Sequence, residues 1–314
     1  MSSILVVGAG PLGRATTRHL IASGDEVTVA TRSGTALPGA TPLALDVTDP
    51  GFAHQIPAVD AIVAACNFPY GKWASHWPPA IQSLISAAER RNATLVIAGN
   101  LYGYGPPSAP MRETDPLAAE FQNGRIRAEV WREARAAHSA GRVRAVEVRG
   151  SDYIGATTGP GAHGGDRLLV PLLAGRVAQP LGDPDQPHSW TALDDFGRLL
   201  ARATRDEQML GRAWHVPSAP PVSIRELLTT ALRAAGSTAE PRMRPVPSWL
   251  VRTLALGSPM MRGLRDTLYQ FEQPFIIDDS DARTLLDETS TPLAETMAAA
   301  VAALAGKPQP VVAH

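Results

Sequence analysis

The sequence predicts an α/β protein: a doubly wound parallel sheet followed by a smaller C-terminal lobe. Three observations carry this. Short apolar runs alternate with helical patterns through the first half of the chain, as expected of strands buried on both faces and separated by helices. A glycine-rich turn, GAGPLG (8–13), joins the first run to the first helical pattern. After residue 150 the alternation gives way to Gly- and Pro-rich stretches, among them GATTGPGAHGG (155–165) and QPLGDPDQPHSW (179–190).

ILVVG (4–8) reads as the first buried strand, and PLGRATTRHLIASG (11–24) as a helix ended by Gly24. EVTVATR (26–32) and PLALDV (42–47) are the second and third strands, and DAIVAAC (60–66) the fourth. A helix over 79–91 precedes TLVIAG (94–99), the fifth strand; a helix over 117–140 precedes RVRAVEVRG (142–150), the sixth. Beyond it, helices are expected over 194–205, 223–235, 248–264 and 292–305. Residues 1–154 are therefore assigned to a dinucleotide-binding Rossmann-type domain to which later segments return, and 155–314 mainly to a substrate-binding lobe.

Composition excludes several classes. The 314 residues are 44% apolar, enough for one large domain or a domain with a lobe. A net charge of -1 gives no electrostatic case for nucleic acid or an anionic membrane as partner. The single cysteine, Cys66, allows no internal disulfide, which fits a reducing compartment, and it reads as a small core residue. No basic and apolar leader precedes the first strand, and MAAAVAALA (297–305) is too short to span a bilayer, so a cytoplasmic location is expected. The histidines show no metal-ligand spacing, and most read as loop or surface residues; no metal site is expected.

The glycine turn carries the first chemistry. Gly8 permits the tight turn, Gly10 lets a pyrophosphate approach the backbone, and Gly13 lets the helix pack on the sheet. Pro11 and Leu12 complete the turn, where the helix N-terminus offers amides and the positive end of its dipole. The second strand ends in Thr31, Arg32 and Ser33 instead of a carboxylate. A guanidinium there pairs with a ribose 2′-phosphate, and the two hydroxyls add hydrogen bonds. The expected cofactor is therefore NADP(H), with NAD(H) less favoured. Asp46 and Val47 end the third strand, where they can hold the adenine edge; for Asp46 a strand-end turn role is an equal reading.

Several segments resemble the extended or atypical short-chain dehydrogenase/reductases of the NAD-dependent epimerase/dehydratase type. GAGPLG and ALDVTD (44–49) match the cofactor half of that family, and LYGYGP (101–106) its segment after the fifth strand. RGSDYIGATTGPG (149–161), HSWTALDDFGRLL (188–200) and AWHVPSAPPVSIREL (213–227) resemble later segments, in the same order, so the likeness spans nearly the whole chain. The resemblance implies a nicotinamide cofactor and a small-molecule substrate, and a homodimer is common in the family. It also places Asn67, Tyr70 and Trp73, which follow the fourth strand, near the nicotinamide and the substrate, and Ala65, at the end of that strand, is read as a cofactor contact.

One feature of the family is missing. Its Tyr-x-x-x-Lys pair, on the helix after the fifth strand, moves the proton that accompanies hydride transfer. Only Lys72 and Lys307 are present, and neither follows a Tyr by four residues. Alignment through Glu129 puts Phe121 and Arg125 at the two positions. Phe121 has no proton to give, and Arg125 stays charged, able to bind a ribose hydroxyl or an anionic group but not to act as a neutral amine. Tyr102 then becomes the expected acid, with Asn100 as an amide donor polarising a carbonyl. Tyr104, Tyr153 and His163 are candidate substrate contacts, Tyr153 also a further candidate acid. The apolar set Trp190, Trp214, Trp249, Phe271 and Phe275 reads mostly as core. No Lys/Arg cluster in the lobe is placed for a second pyrophosphate, which disfavours a sugar nucleotide.

The expectation is thus an NADP(H)-dependent atypical reductase acting on a small carbonyl or enone-like compound with a non-standard proton donor. The alternatives are a catalytically silent NADP(H) sensor, or a non-redox lyase, cyclase or epimerase on the same fold.

Overall fold

The computed structural model describes residues 1–159 and 161–306, so Pro160 and Lys307 from the segments above lie outside the described residues. The chain opens with β1 (Ser3–Val7), α1 (Pro11–Ala22), β2 (Glu26–Thr31), β3 (Thr41–Ala44), α2 (Phe52–Gln55) and β4 (Ala61–Ala64). It continues with α3 (Trp73–Arg91), β5 (Thr94–Gly99), α4 (Gln122–Ser139), β6 (Arg144–Arg149), β7 (Asp152–Ile154) and α5 (Asp166–Leu173). The second half adds β8 (Trp190–Ala192), α6 (Leu193–Ala203), β9 (Ala213–His215), α7 (Ile224–Ala234), α8 (Ser248–Leu254), α9 (Pro259–Thr267), α10 (Ser280–Leu285) and α11 (Leu293–Ala305).

Seven strands form one parallel sheet in the order β3-β2-β1-β4-β5-β6-β9, the expected Rossmann-type arrangement. The order reverses between β1 and β4, and a ligand crevice opens at the strand carboxyl ends beside such a switch. One apolar layer sets Leu5, Ile62 and Leu95 against Trp77 and Ile81 of α3 and Trp131 of α4. The other sets Val6, Val29 and Val63 against Phe196 and Leu200 of α6. β7 and β8 pair separately, and a third cluster joins Ile154 and Trp190 to Leu168 of α5, Leu227 of α7 and Met297 of α11. Ser223 starts α7 with a capping box: its hydroxyl accepts from the Glu226 N–H, and the Glu226 carboxylate accepts from the Ser223 N–H at 2.7 Å.

Two helices depart from expectation. α3 begins at Trp73, six residues before the predicted start, and carries Pro78 and Pro79 inside it. The prolines suggest a helix start, but burial of Trp73 and Trp77 extends the helix back past them. The single helix expected over 248–264 is instead α8 and α9. Gly257-Ser258-Pro259 separates them, with the Ser258 hydroxyl accepting from the Met261 N–H and proline in the first turn. Among the described residues no helix is long and apolar enough to cross a membrane.

Candidate functional site

A cleft of about 560 Å³ opens at the switch point. Gly8, Gly10, Pro11 and Leu12 form one end, with Thr31, Arg32, Asp46 and Val47 along one side and Ala65 and Asn67 along the other. Three glycines do three different things. Gly8 has φ +111°, and a Cβ there would stand 2.8 Å from the Ala65 carbonyl oxygen. A Cβ on Gly13 would stand 2.0 Å from the Gly8 carbonyl oxygen, so this residue packs helix on turn and does not line the cleft. Gly10 has nothing within 4 Å of its Cβ position, leaving bare backbone facing open space. It is also the N-cap of α1, and no side chain takes up that helix's first amides. An anionic group fits this end.

Arg32 is exposed on the cleft side. The neighbouring hydroxyls are engaged locally: Thr31 Oγ1 accepts from the Thr35 N–H at 2.8 Å, and Ser33 Oγ lies 3.1 Å from Thr35 Oγ1. Ser33 is not part of the cleft wall. Asp46 lines the cleft while its Oδ1 accepts from the Thr48 N–H and hydroxyl at 2.9 and 2.8 Å, the bonds of a strand-end turn residue. Cys66 is partly buried against the core and lines the cleft as well, and burial pushes its thiol up to about 11.

The floor of the cleft corrects the reading of α4. This helix starts at Gln122, with Phe121 at its N-cap. Its buried face carries Asn123, Gly124, Arg127, Ala128, Val130 and Trp131. Arg125 lies on the outer face, in a surface groove with Trp77, Ile126 and Glu129, away from the cleft. Arg127 takes the inner place, four residues after Asn123. It reaches the cleft, donates from Nη2 to the Ala98 carbonyl at 2.6 Å and lies 4.4 Å from the Trp77 ring centre. Its Nε is buried without a partner, and burial lowers its pKa. Arg125, the position read through Glu129, thus faces outward, and on a 3.6-residue period two positions are enough to exchange inside for outside.

Beside the cleft lies a smaller compartment of about 120 Å³, lined in part by Tyr70, Trp73, Tyr102, Asp152, Gln270 and Phe275. Asn67, Asn100 and Tyr153 line both spaces and so form the junction between them. Asn100 Oδ1 accepts from the Tyr102 N–H at 3.2 Å, which leaves its amide nitrogen to donate. Asn67 Oδ1 likewise accepts from the Phe68 N–H at 2.9 Å. Trp73 donates to the Phe68 carbonyl and stacks on Tyr102. The hydroxyls of Tyr70 and Tyr102 lie 2.7 Å apart. Burial, then the nearby Tyr70 and Asp152, hold Tyr102 well above the ordinary phenol pKa; burial pushes Tyr70 up to about 12. Tyr153 is raised by burial and then by Asp152, with Arg127 pulling the other way.

Several expected contacts lie elsewhere. Tyr104 is held behind the sheet edge, accepting from Arg149 Nη1 at 2.5 Å and lying 2.8 Å from His215 Nε2. It is not part of the compartment wall, because the turn over 102–104 sends alternate tyrosines to opposite sides. His163 is buried among Phe271 and Trp190, with Nδ1 2.7 Å from Arg167 Nη2; it also lies outside the compartment wall. His188 and His215 are buried as well, contrary to a surface reading. Trp249, expected in the core, is 67% exposed. Arg127 and Gln270 lie outside the site residues read from the sequence and no motif marks them; Asp152 lies within the segment 149–161 but is not singled out there. A count of the 3.6-residue period from the buried Val130, Trp131 and Ala134 is the one signal that finds Arg127.

The model of the NAD dependent epimerase/dehydratase family matches residues 4–216. The chain belongs to this family. Among solved structures of similar fold, the Bordetella bronchiseptica enzyme WbmH, in complex with NAD+, is 19% identical over 98% of this chain and 99% of its own, with TM-score 0.73. The Thermus thermophilus UDP-glucose 4-epimerase complex with NAD is 16% identical over 97% and 99%, with TM-score 0.78. A double mutant of DesIV, the Streptomyces venezuelae dTDP-glucose 4,6-dehydratase, with NAD and DAU bound, is 21% identical over 96% and 97%, with TM-score 0.76. At these identities the likeness shows the fold. No curated protein matches the chain.

Proposed function

We propose that this family member binds a nicotinamide dinucleotide in the larger cleft and exchanges hydride with a small organic substrate held in the compartment. The observation that carries this reading is the shared wall of Asn67, Asn100 and Tyr153. It sets a 120 Å³ space directly against the cleft end opposite Gly10 and Arg32. The first amides of α1 and the bare backbone at Gly10 would hold the pyrophosphate. Arg32 would take a 2′-phosphate, which favours NADP(H) for this chain. The NAD complexes of the structural neighbours favour the other form, and the two are separable by titration. When bound, the dinucleotide supplies hydride donation and acceptance.

Besides Arg32, the cleft is lined by Lys72 and Arg127; Arg127, bonded to the Ala98 carbonyl, would face a nicotinamide ribose. It replaces the Lys of the missing pair in charge but not in basicity. Tyr153, not Tyr102, is the phenol we assign to proton movement. It stands at the junction and feels the Arg127 charge, whereas the Tyr102 hydroxyl is bound to that of Tyr70. The Asn100 amide would donate to a substrate carbonyl oxygen. A second reading, an epimerase or dehydratase acting on a sugar nucleotide, is supported by the UDP- and dTDP-sugar enzymes among the neighbours. Against it stand the size of the compartment and the absence of Lys and Arg from its described wall.

Titration of the purified protein with NADPH and NADH, followed by tryptophan fluorescence, tests the reading. NADPH should bind more tightly, and Arg32→Ser should reduce that preference by about tenfold or more, the value of a charge-assisted hydrogen bond. Absence of binding by either nucleotide would refute it.

A further inference from the structure

The compartment wall has an uneven chemistry. Five aromatic side chains line it: Tyr70, Trp73, Tyr102, Tyr153 and Phe275. One carboxylate, Asp152, joins them, and none of the described lining residues is Lys or Arg. Aromatic faces attract cations, and a carboxylate inside an aromatic wall adds a full opposite charge in a poorly screened space. The same wall repels phosphate and carboxylate groups.

Asp152 is not neutralised by a hydrogen-bonded partner. Its Oδ2 is buried and unbonded. His188 Nε2 lies 3.1 Å from it, but outside hydrogen-bond geometry, and is itself without a partner. His188 Nδ1 faces the Gln270 carbonyl at 3.1 Å. A carbonyl only accepts, so a ring proton sits on Nδ1, and the Nε2 contact with the carboxylate is made without a hydrogen bond. A carboxylate left this way is costly until a donor reaches it. A fifth of the Asp152 side chain (20%) stays exposed where it lines the compartment.

We infer that the compartment is a recognition site for a small organic cation, a protonated amine or imine, held between the Asp152 carboxylate and the aromatic wall. Size limits the class. A cavity of about 150 Å³ takes benzene, so 120 Å³ takes a group of about five heavy atoms, such as a five-membered nitrogen ring. The inference rests on the proposed hydride exchange and adds a reason for the missing Tyr-x-x-x-Lys pair. Reduction of a protonated imine balances without a separate acid. The carbon gains hydride, the C=N π electrons become the nitrogen lone pair, nitrogen keeps the proton it brought, and the reduced nicotinamide dinucleotide is oxidised.

The test uses pyrrolidine, a protonated five-atom ring, against tetrahydrofuran, its neutral counterpart. Quenching of tryptophan fluorescence reads binding to the full chain, with and without NADPH. Pyrrolidine should bind at least about tenfold more tightly than tetrahydrofuran. In Asp152→Asn that ratio should fall to near one, with NADPH affinity kept as the sign of intact folding. Equal affinity of the two rings for the unaltered protein overturns the inference, whatever the variant does. Methylpyrroline should then be reduced with NADPH in preference to methylcyclopentanone, and the reverse preference also overturns it. Loss of NADPH binding with Asp152-dependent pyrrolidine binding retained would strike the hydride reading alone. NADPH binding with no preference between the rings would strike the cation site alone.

Discussion

The cleft and the compartment share a wall but are built in opposite ways. The cleft gathers around strand ends, a glycine turn and the start of α1, with its lining contributed largely by residues 7 to 100. The compartment is mostly side chain, drawn from the segments around 67–73, 100–102, 150–153, 161–162 and 270–275. A backbone site follows from local sequence, because a turn and a helix start are decided within a few residues. A side-chain site follows from how distant segments pack. A glycine turn is therefore lost only by changing its glycines, whereas a compartment changes character when one residue, such as Asp152, changes charge.

The strongest attempt to break the comparison is Gly13→Ala. Its Cβ would lie 2.0 Å from one backbone oxygen, so the turn must move. Loss of dinucleotide binding is expected, with a stability loss of about 1–3 kcal/mol or more in denaturant titration. Retained binding would show that the turn is softer than a backbone-built site allows.

Next in size, Arg127→Met should weaken dinucleotide binding by about tenfold to a hundredfold, the worth of a charged hydrogen bond. Arg125→Met should leave it unchanged, since Arg125 faces the outer groove. Equal effects of the two in the same titration would return the register to the one read through Glu129.

The smallest effect concerns the histidines packed behind the compartment and the sheet edge. Burial lowers His163 from 6.5 to about 3 and His215 from 6.5 to about 4. The unfolded chain therefore takes up their protons below about pH 6.5, while the folded chain stays deprotonated until about pH 4 and below. Their neutral burial favours folding above that window and is progressively lost as pH falls through it. The denaturation midpoint should drop between about pH 7 and about pH 5, and by less in His163→Gln.

The sheet was legible because each strand is a run of apolar residues with its own period. ILVVG, DAIVAAC and TLVIAG need no partner to be recognised. The cleft residues Gly8, Gly10, Thr31, Arg32 and Asp46 were legible for the same local reason. Arg127 and Arg125 were not separable by composition, since both are arginines two positions apart on one helix. Only the packing of Trp131 and Val130 on the sheet decides which of them points inward. Tyr102 and Tyr104 form the same kind of pair. One joins Tyr70 at the compartment and the other meets Arg149 and His215 behind it.

Contiguous residues suffice to fix the parallel sheet, its glycine turn, the basic end of the second strand and the lack of a Tyr-x-x-x-Lys pair. Packing between distant segments sets Arg127 on the cleft floor and leaves Asp152 Oδ2 beside His188, without a hydrogen bond, among aromatic rings. Those facts depend on which faces of separate elements meet, and burial, not sequence distance, sets that outcome.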